Sequence, residues 1–413
     1  MTTTIIHADR LIDGTGAAPI TAPVLVITDG RIRDIFVGTA PEGSVPEGAT
    51  EIHLPGCTLL PGLIDAHVHL NLPGDGTTLE VAARETDGVL TATATLSAVR
   101  ALQAGITTVR DLGGARGTIF DVRRAFELGH GHGARIIACG QPITITGGHT
   151  WYLGGEADGP EGLRRKVREM AKLGADYIKV MATGGGTLNT MSWLPSYSRE
   201  ELAALADEAH RLGRTITAHC LCATAIDWVV EAGFDGIEHA SFLVDKTGHQ
   251  VFVPETADRV ARAGIPCTTT LAVGGFMLRA LQAMERRTPA EQAALDRWLY
   301  MFDDNLAQLG KMRDAGVTWV AGTDAGWRYT EIEGMPLELE LMHRGGMPAL
   351  ETITAGTGLA AKVLGIADRV GTLRPGMIAD VIAVAGNPLV DLSRLGAVRL
   401  VLQGGEIRVQ RAE

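Results

Sequence analysis

Strand-like and helix-like stretches alternate along the middle of this chain, and that alternation constrains the fold more than any other feature. Short β-branched runs at 63–69, 106–110, 135–138, 177–181, 215–219, 236–239, 266–269 and 317–321 read as eight strands. Between and after them lie stretches of helical period, at 91–104, 161–173, 199–212, 223–231, 289–314 and 349–364. Several close on a glycine (Gly105, Gly174, Gly213, Gly233), the residue that most easily ends a helix in the left-handed conformation. Parallel strands need a crossover between them, so this alternation predicts a parallel sheet. Eight such units over roughly 300 residues fit an α/β fold of the (β/α)8, TIM-like barrel type. A doubly wound sheet is the rival, weakened because no G-x-G-x-x-G follows the first strand.

The two ends read differently. Residues 1–60 and 367–413 carry short apolar runs punctuated by Asp29-Gly30, Asn387-Pro388 and Gly404-Gly405, the pattern of hairpins. Neither end alone buries much, so both are expected to pair into one small β-sandwich domain beside a barrel over 61–366. Glycine at 52 of 413 residues, about 13% against a usual ~7%, serves these turns and helix ends. An apolar share of 46% rules out a disordered chain. A net charge of −11 without a basic tract excludes nucleic-acid binding driven by phosphate neutralisation. No run approaches ~18 uncharged apolar residues and the first residues lack a basic-then-apolar leader, so neither a membrane span nor export is expected. Five cysteines without a CxxC pair read as reduced thiols, which points to the cytoplasm. The expected partner is a small-molecule substrate.

In a barrel, chemistry gathers where the strands end. The first strand ends Asp65-Ala66-His67-Val68-His69, and residues two apart share a strand face, so both imidazoles can meet one point. The fourth strand carries Lys179, the fifth ends in His219, the sixth in His239, and the eighth runs into Asp324. Four neutral imidazoles and a carboxylate suit Zn2+ or a similar borderline metal. An ammonium would repel such an ion. Buried beside cations, Lys179 gives up its proton more readily, and the free amine can add CO2 to form an anionic carbamate. Two divalent ions balanced by carbamate, Asp324 and a bridging hydroxide leave only a small positive excess.

The motifs PGLIDAHVHL at 61–70, ADYIKVMATGG at 175–185, TAHC at 217–220, GIEHA at 236–240, GTDAG at 322–326 and GTLRPGMIADVIAV at 371–384 jointly resemble the amidohydrolase superfamily in its binuclear form. The resemblance spans the whole chain. It implies that His67, His69 and Asp324 bind the more buried metal, that His219 and His239 bind the other, and that carboxylated Lys179 bridges them. GGH at 147–149, EADGP at 156–160 and the pair Tyr197-Ser198 resemble the branch of Xaa-Pro and Xaa-Arg dipeptidases, ochratoxin-type amidases and imidazolonepropionase-related proteins. That likeness implies substrate roles for His149 and Tyr197. Barrels of this kind often associate, so a homo-oligomer is expected.

The implied reaction is hydrolysis of an amide-like C–N bond by a metal-bridging hydroxide. Asp324 would accept the water's proton and pass it to the leaving nitrogen, while Tyr197 helps polarise the carbonyl. Trp151, Trp193 and Trp327 fall in loops after the third, fourth and eighth strands, with Arg328 beside them, which suggests an apolar pocket with a cation for a substrate carboxylate. A dipeptide or N-acyl amino acid with an apolar or aromatic group is the first substrate reading. Aryl carbamates, aryl ureas or cyclic amides come second, and a non-catalytic binding protein or a C–C lyase are minor readings. The remaining histidines read as bland: His130 and His132 as a solvated turn, and His7, His53, His210, His249 and His343 as structural or exposed.

Overall fold

A computed structural model describes residues 2–41 and 48–411; residues 1, 42–47 and 412–413 of the two terminal segments lie outside the described residues. Five strands open the chain: β1 (Thr3–Leu11), β2 (Ile20–Thr21), β3 (Pro23–Thr28), β4 (Arg31–Val37) and β5 (Thr50–Pro61). The middle holds β6 (Leu63–Val68), β7 (Ile106–Asp111), β8 (Arg135–Ala138) and β9 (Tyr177–Met181). It continues with β10 (Thr215–His219), β11 (Gly236–Glu238), β12 (Cys267–Thr268) and β13 (Trp319–Val320). The chain closes on β14 (Val381–Ala385), β15 (Val398–Gln403) and β16 (Glu406–Gln410).

The middle strands pair in parallel as two arcs, β6-β7-β8 and β9-β10-β11-β12-β13. Backbone hydrogen bonds bridge both seams between the arcs. At one, Asp176 N donates to Ala138 O at 2.9 Å and Ile143 N to Lys179 O at 2.8 Å. At the other, Ala66 N donates to Ala321 O at 3.0 Å and Asp324 N to His67 O at 2.7 Å. The single helix expected over 349–364 is two, Ala349–Ala355 and Gly358–Val363. The break has a use. It frees the carbonyls of Ala355 and Gly356 to accept from Ala321 N (3.1 Å) and Ile64 N (2.8 Å), lacing the second seam with groups a continuous helix would keep for itself.

The terminal strands form one sheet of order β16-β15-β14-β5-β1-β3-β4, with β2 paired to β1. Its core mixes Ile6, Leu25, Ile32 and Leu59 with Met377, Val381 and Leu400, so neither end owns a core of its own. The central member, β5, runs parallel to β1 and antiparallel to β14. It contains Pro55-Gly56, which in sequence reads as a turn. The strand survives because the register slips there: Ala8 faces Leu54, yet Arg10 faces Thr58, a bulge that takes the proline out of the ladder. No helix among the described residues is long and apolar enough to cross a membrane.

Candidate metal centre

His67 and His69 leave β6 on one face, and Asp324 arrives from the loop after β13. Ligand atoms of these three buried residues lie within 4.8 Å of one another. Asp324 Oδ1 is 3.2 Å from His69 Nε2 and 3.4 Å from His67 Nε2. Behind the rings, His67 Nδ1–H donates to Glu238 Oε2 at 2.9 Å and His69 Nδ1–H to Gly113 O at 2.7 Å. Partners that only accept fix the proton on Nδ1 and turn the Nε2 lone pairs toward Asp324.

The other candidate ligands continue this patch. The His239 ring centre lies 4.9 Å from that of His67 and 4.6 Å from that of His219. His219 Nε2–H donates to Gly184 O at 3.1 Å, which leaves Nδ1 as its free donor of electrons. Strand register sets Lys179 beside Thr217 and His219 beside Glu238. Lys179 is 1% exposed, and its Nζ has no hydrogen-bond partner. Burial lowers the Lys179 pKa, Glu238 opposing, and burial likewise holds His219 and His239 well below the ordinary imidazole value. For Asp324 burial works against ionisation, but His67 and His69 overcome it and hold the carboxyl well below its usual range.

Two of these residues sit in strained backbone. His239 has φ 68° and Asp324 φ 59°, a left-handed conformation that costs a non-glycine residue about 1–3 kcal/mol. Each is pinned by its own N–H, His239 to Thr268 O at 3.0 Å and Asp324 to His67 O. Close approach also demands glycine nearby: a Cβ on Gly185 would lie 2.4 Å from His149 Nε2, and one on Gly322 2.7 Å from His67 Cβ.

Glu238 is the most consequential residue that the sequence reading passed over. Besides His67, its carboxylate accepts from Arg110 at 2.7 Å and from the Thr217 hydroxyl at 2.6 Å. Burial resists its charge, yet Arg110, Lys179 and His67 together hold it well below the usual carboxylate range. Arg110 also donates to Ala66 O at 2.7 Å, clamping the end of β6 from beneath. The signal was charge inside two otherwise uncharged strands, Glu238 in GIEHA and Arg110 with Asp111 in TTVRD, where a buried charge persists only if paired. Asp65 ties the second seam in the same way, accepting from the Thr323 hydroxyl at 2.6 Å and Thr323 N at 3.0 Å, and burial raises its pKa to about 6.

The donor set fits a divalent ion. Electron-pair donors converge, while Asp324 Oδ1 and Lys179 Nζ lack hydrogen-bond partners. The 3.2 and 3.4 Å separations match ligands of one tetrahedral ion with bonds of about 2.0–2.1 Å.

Of the residues expected to handle substrate, His149 belongs to the patch. It is buried, its ring lies 4.7 Å from that of His219, and its Nδ1 is 2.8 Å from Thr187 Oγ1. Burial lowers its pKa to about 3. Tyr197 has a different address. Its buried hydroxyl donates to Ala157 O at 3.1 Å, and the groups that perturb it are Asp158 and Glu201. It precedes Ser198, whose side chain and that of Glu201 form a capping box on the helix Arg199–Arg211, so Tyr197 is the apolar residue that fixes the entry to that helix. Tyr152 is instead the phenol coupled to Asp324, Arg328 and Thr187. Trp327 packs where a Cβ on Gly186 would meet it, and the exposed Arg328 stacks on it at 4.9 Å. Trp151 is 39% exposed and Trp193 half-buried. His130 and His132 are exposed, as a solvated turn should be.

Titratable donors gathered beyond the carboxyl ends of parallel strands are the arrangement of enzymes with TIM-barrel-like folds. The model of the Amidohydrolase family matches residues 58–408, and the chain belongs to that family, whose members usually bind metals. Ochratoxinase of Aspergillus niger is 31% identical over 447 residues, which cover 98% of this chain and 86% of that one. Its crystal structure matches with a TM-score of 0.82 at 28% identity, covering 99% of this chain and 96% of that one. A crystal structure of a Xaa-Pro dipeptidase with methionine bound in the active site gives a TM-score of 0.85 at 29% identity over 98% of this chain and 99% of that one. Imidazolonepropionase of Rhizobium rhizogenes is 26% identical over 88% of this chain and 87% of its own. These likenesses imply a TIM-barrel-like fold and support a hydrolase acting on amide-like bonds.

Proposed function

We propose that the chain is a binuclear metal-dependent hydrolase that cleaves an amide-like C–N bond of a dipeptide or N-acyl amino acid bearing an apolar or aromatic group. One observation carries the reading: Lys179 lies buried with a partnerless Nζ, electrostatically coupled to Glu238 and Asp324 beside the imidazole patch. A carbamate accounts for it. Lys179 first gives its ammonium proton to solvent. The freed Nζ lone pair then attacks the carbon of CO2, an N–C bond forms as one C=O π pair moves onto oxygen, and a second proton leaves to solvent, so the cationic end becomes a carbamate with one negative charge shared by two oxygens. His67, His69 and Asp324 would hold the deeper ion and His219 and His239 the other, with carbamylated Lys179 as the ligand they would share. Zn2+ suits the donor set.

Bound ions lower the pKa of water toward neutrality and polarise the scissile carbonyl. Asp324 accepts a proton from the attacking water and returns it to the leaving nitrogen. His149 stays neutral. Thr187 Oγ1 accepts from Thr150 N and donates to His149 Nδ1, which leaves Nε2–H as a donor toward substrate. Trp327 and the guanidinium stacked on it supply an apolar wall and a partner for a substrate carboxylate. The same reading takes the two arcs as one closed (β/α)8 barrel over 61–366, and segments 1–60 and 367–413 as one β-sandwich.

Metal analysis, native intact mass and a screen of dipeptides, N-acyl amino acids and aryl carbamates test it together. Two ions per chain, a CO2 increment lost in Lys179→Ala, and turnover of the first two classes are expected. Two bound ions with an unmodified Lys179 would overturn the bridge, and turnover of aryl carbamates alone would overturn the substrate.

A further inference from the structure

We propose a second metal site on the outer face of the terminal sheet, where His7, Glu51 and His53 take one Zn2+ or similar borderline divalent ion. β1 and β5 run parallel with His7 opposite His53 and Ile5 opposite Glu51. Side chains alternate along a strand, and the intervening Ile6 and Ile52 enter the sheet's core. His7, Glu51 and His53 are thereby turned outward together. The two rings stack with centres 4.4 Å apart and planes 11° apart. Glu51 Oε2 lies 3.3 Å from His53 Nε2 and 3.8 Å from His7 Nε2, and all three donor atoms fall within 4.8 Å of one another.

This geometry suits a metal better than it suits protons. Two imidazolium rings at stacking distance repel each other, and one carboxylate cannot satisfy both. Burial and the neighbouring His53 lower the His7 pKa, with Glu51 opposing. A single divalent ion between two Nε2 atoms and Oε2 satisfies every donor at once. Neighbouring strands stand about 4.8 Å apart, so register keeps the three side chains within reach of one ion, and each stacked ring turns about its Cβ–Cγ bond to aim its in-plane Nε2 lone pair at it. Three protein ligands leave a fourth position to water, and His2Glu is a donor set that Zn2+ accepts. The site shares no residue with the centre at the strand ends, and it clips the first strand of the chain to β5.

The test uses the full chain with its other centre loaded, dialysed against micromolar free Zn2+. Wild type is expected to retain one Zn2+ per chain more than His53→Ala or His7→Ala, and Zn2+ is expected to raise the melting temperature of wild type above that of either variant. Co2+ should add a tetrahedral absorption band that both variants lose. Turnover should be equal in all three, because none of these residues touches the catalytic machinery. Equal Zn2+ counts and equal Co2+ spectra in wild type and both variants would overturn the site.

Discussion

The histidines at the ends of the parallel strands and those on the outer face of the terminal sheet put one side chain to use in opposite surroundings. His67, His69 and His219 are buried, and each is held from behind by a carboxylate or a backbone carbonyl. Two of the ligands proposed at that centre also depend on strained backbone. His7 and His53 need none of this. Strand register alone aligns them, and solvent reaches both. Burial therefore makes a donor depend on a supporting layer, whereas exposure lets a donor stand on local geometry. Substitutions should hurt in that order.

The largest effect is expected for Asp324→Asn, which removes the proposed proton carrier: kcat/KM should fall about 10²–10⁴-fold while metal content stays close to wild type. Glu238→Gln comes next. It leaves the buried Arg110 guanidinium short of its carboxylate and should cost about 3–5 kcal/mol in denaturant unfolding, with metal affinity weakened through His67. Glu338 extends the contrast to pH. Its buried carboxyl accepts from Leu271 N at 3.1 Å and Ala272 N at 2.6 Å, and burial raises its pKa from 4.5 to about 8. The folded state thus keeps a proton that the unfolded chain releases. Its contribution to stability is present below about pH 4.5 and lost as pH rises toward 8, by ~5 kcal/mol, and Glu338→Gln should flatten that slope in urea titrations. Tyr197→Phe should cost about 1 kcal/mol for the lost bond to Ala157 O and leave kcat near wild type; a large drop in kcat would return Tyr197 to the reaction. The smallest effect belongs to metal-free His53→Ala, within about 0.5 kcal/mol in thermal unfolding.

The eight middle strands were legible because β-branched runs end in residues that make little sense on a strand unless they meet a ligand. Local signals go no further than local causes. The helix Ala272–Ala283 has no side-chain cap of its own; Glu338 supplies it from a distant part of the sequence, so nothing near residue 272 announces it. The break at Gly356 answers to strands on either side of a seam, and β5 keeps its proline because its own bulge takes that residue out of register with β1. The helices Thr118–Glu127, Pro254–Ala263 and Met335–Arg344 also escaped the reading. Tyr197 carries a second, local meaning: Tyr-Ser followed by Glu three residues after the serine is a helix-entry pattern, and the structure shows that capping box beside it. The candidate ligands themselves were visible, whereas Glu238 and Arg110 show their purpose only once strands far apart in sequence lie side by side.

The hydrogen bond from Asp324 N to His67 O has a consequence for the order of assembly. The residues it joins are about 250 positions apart, a contact of very high sequence separation that forms only after most of the chain has emerged and condensed. A ribosome-bound fragment ending before β13 holds both histidines of β6 but cannot bring Asp324 to them. The three-residue set proposed for the deeper ion is therefore complete only once β13 and the loop after it have been made.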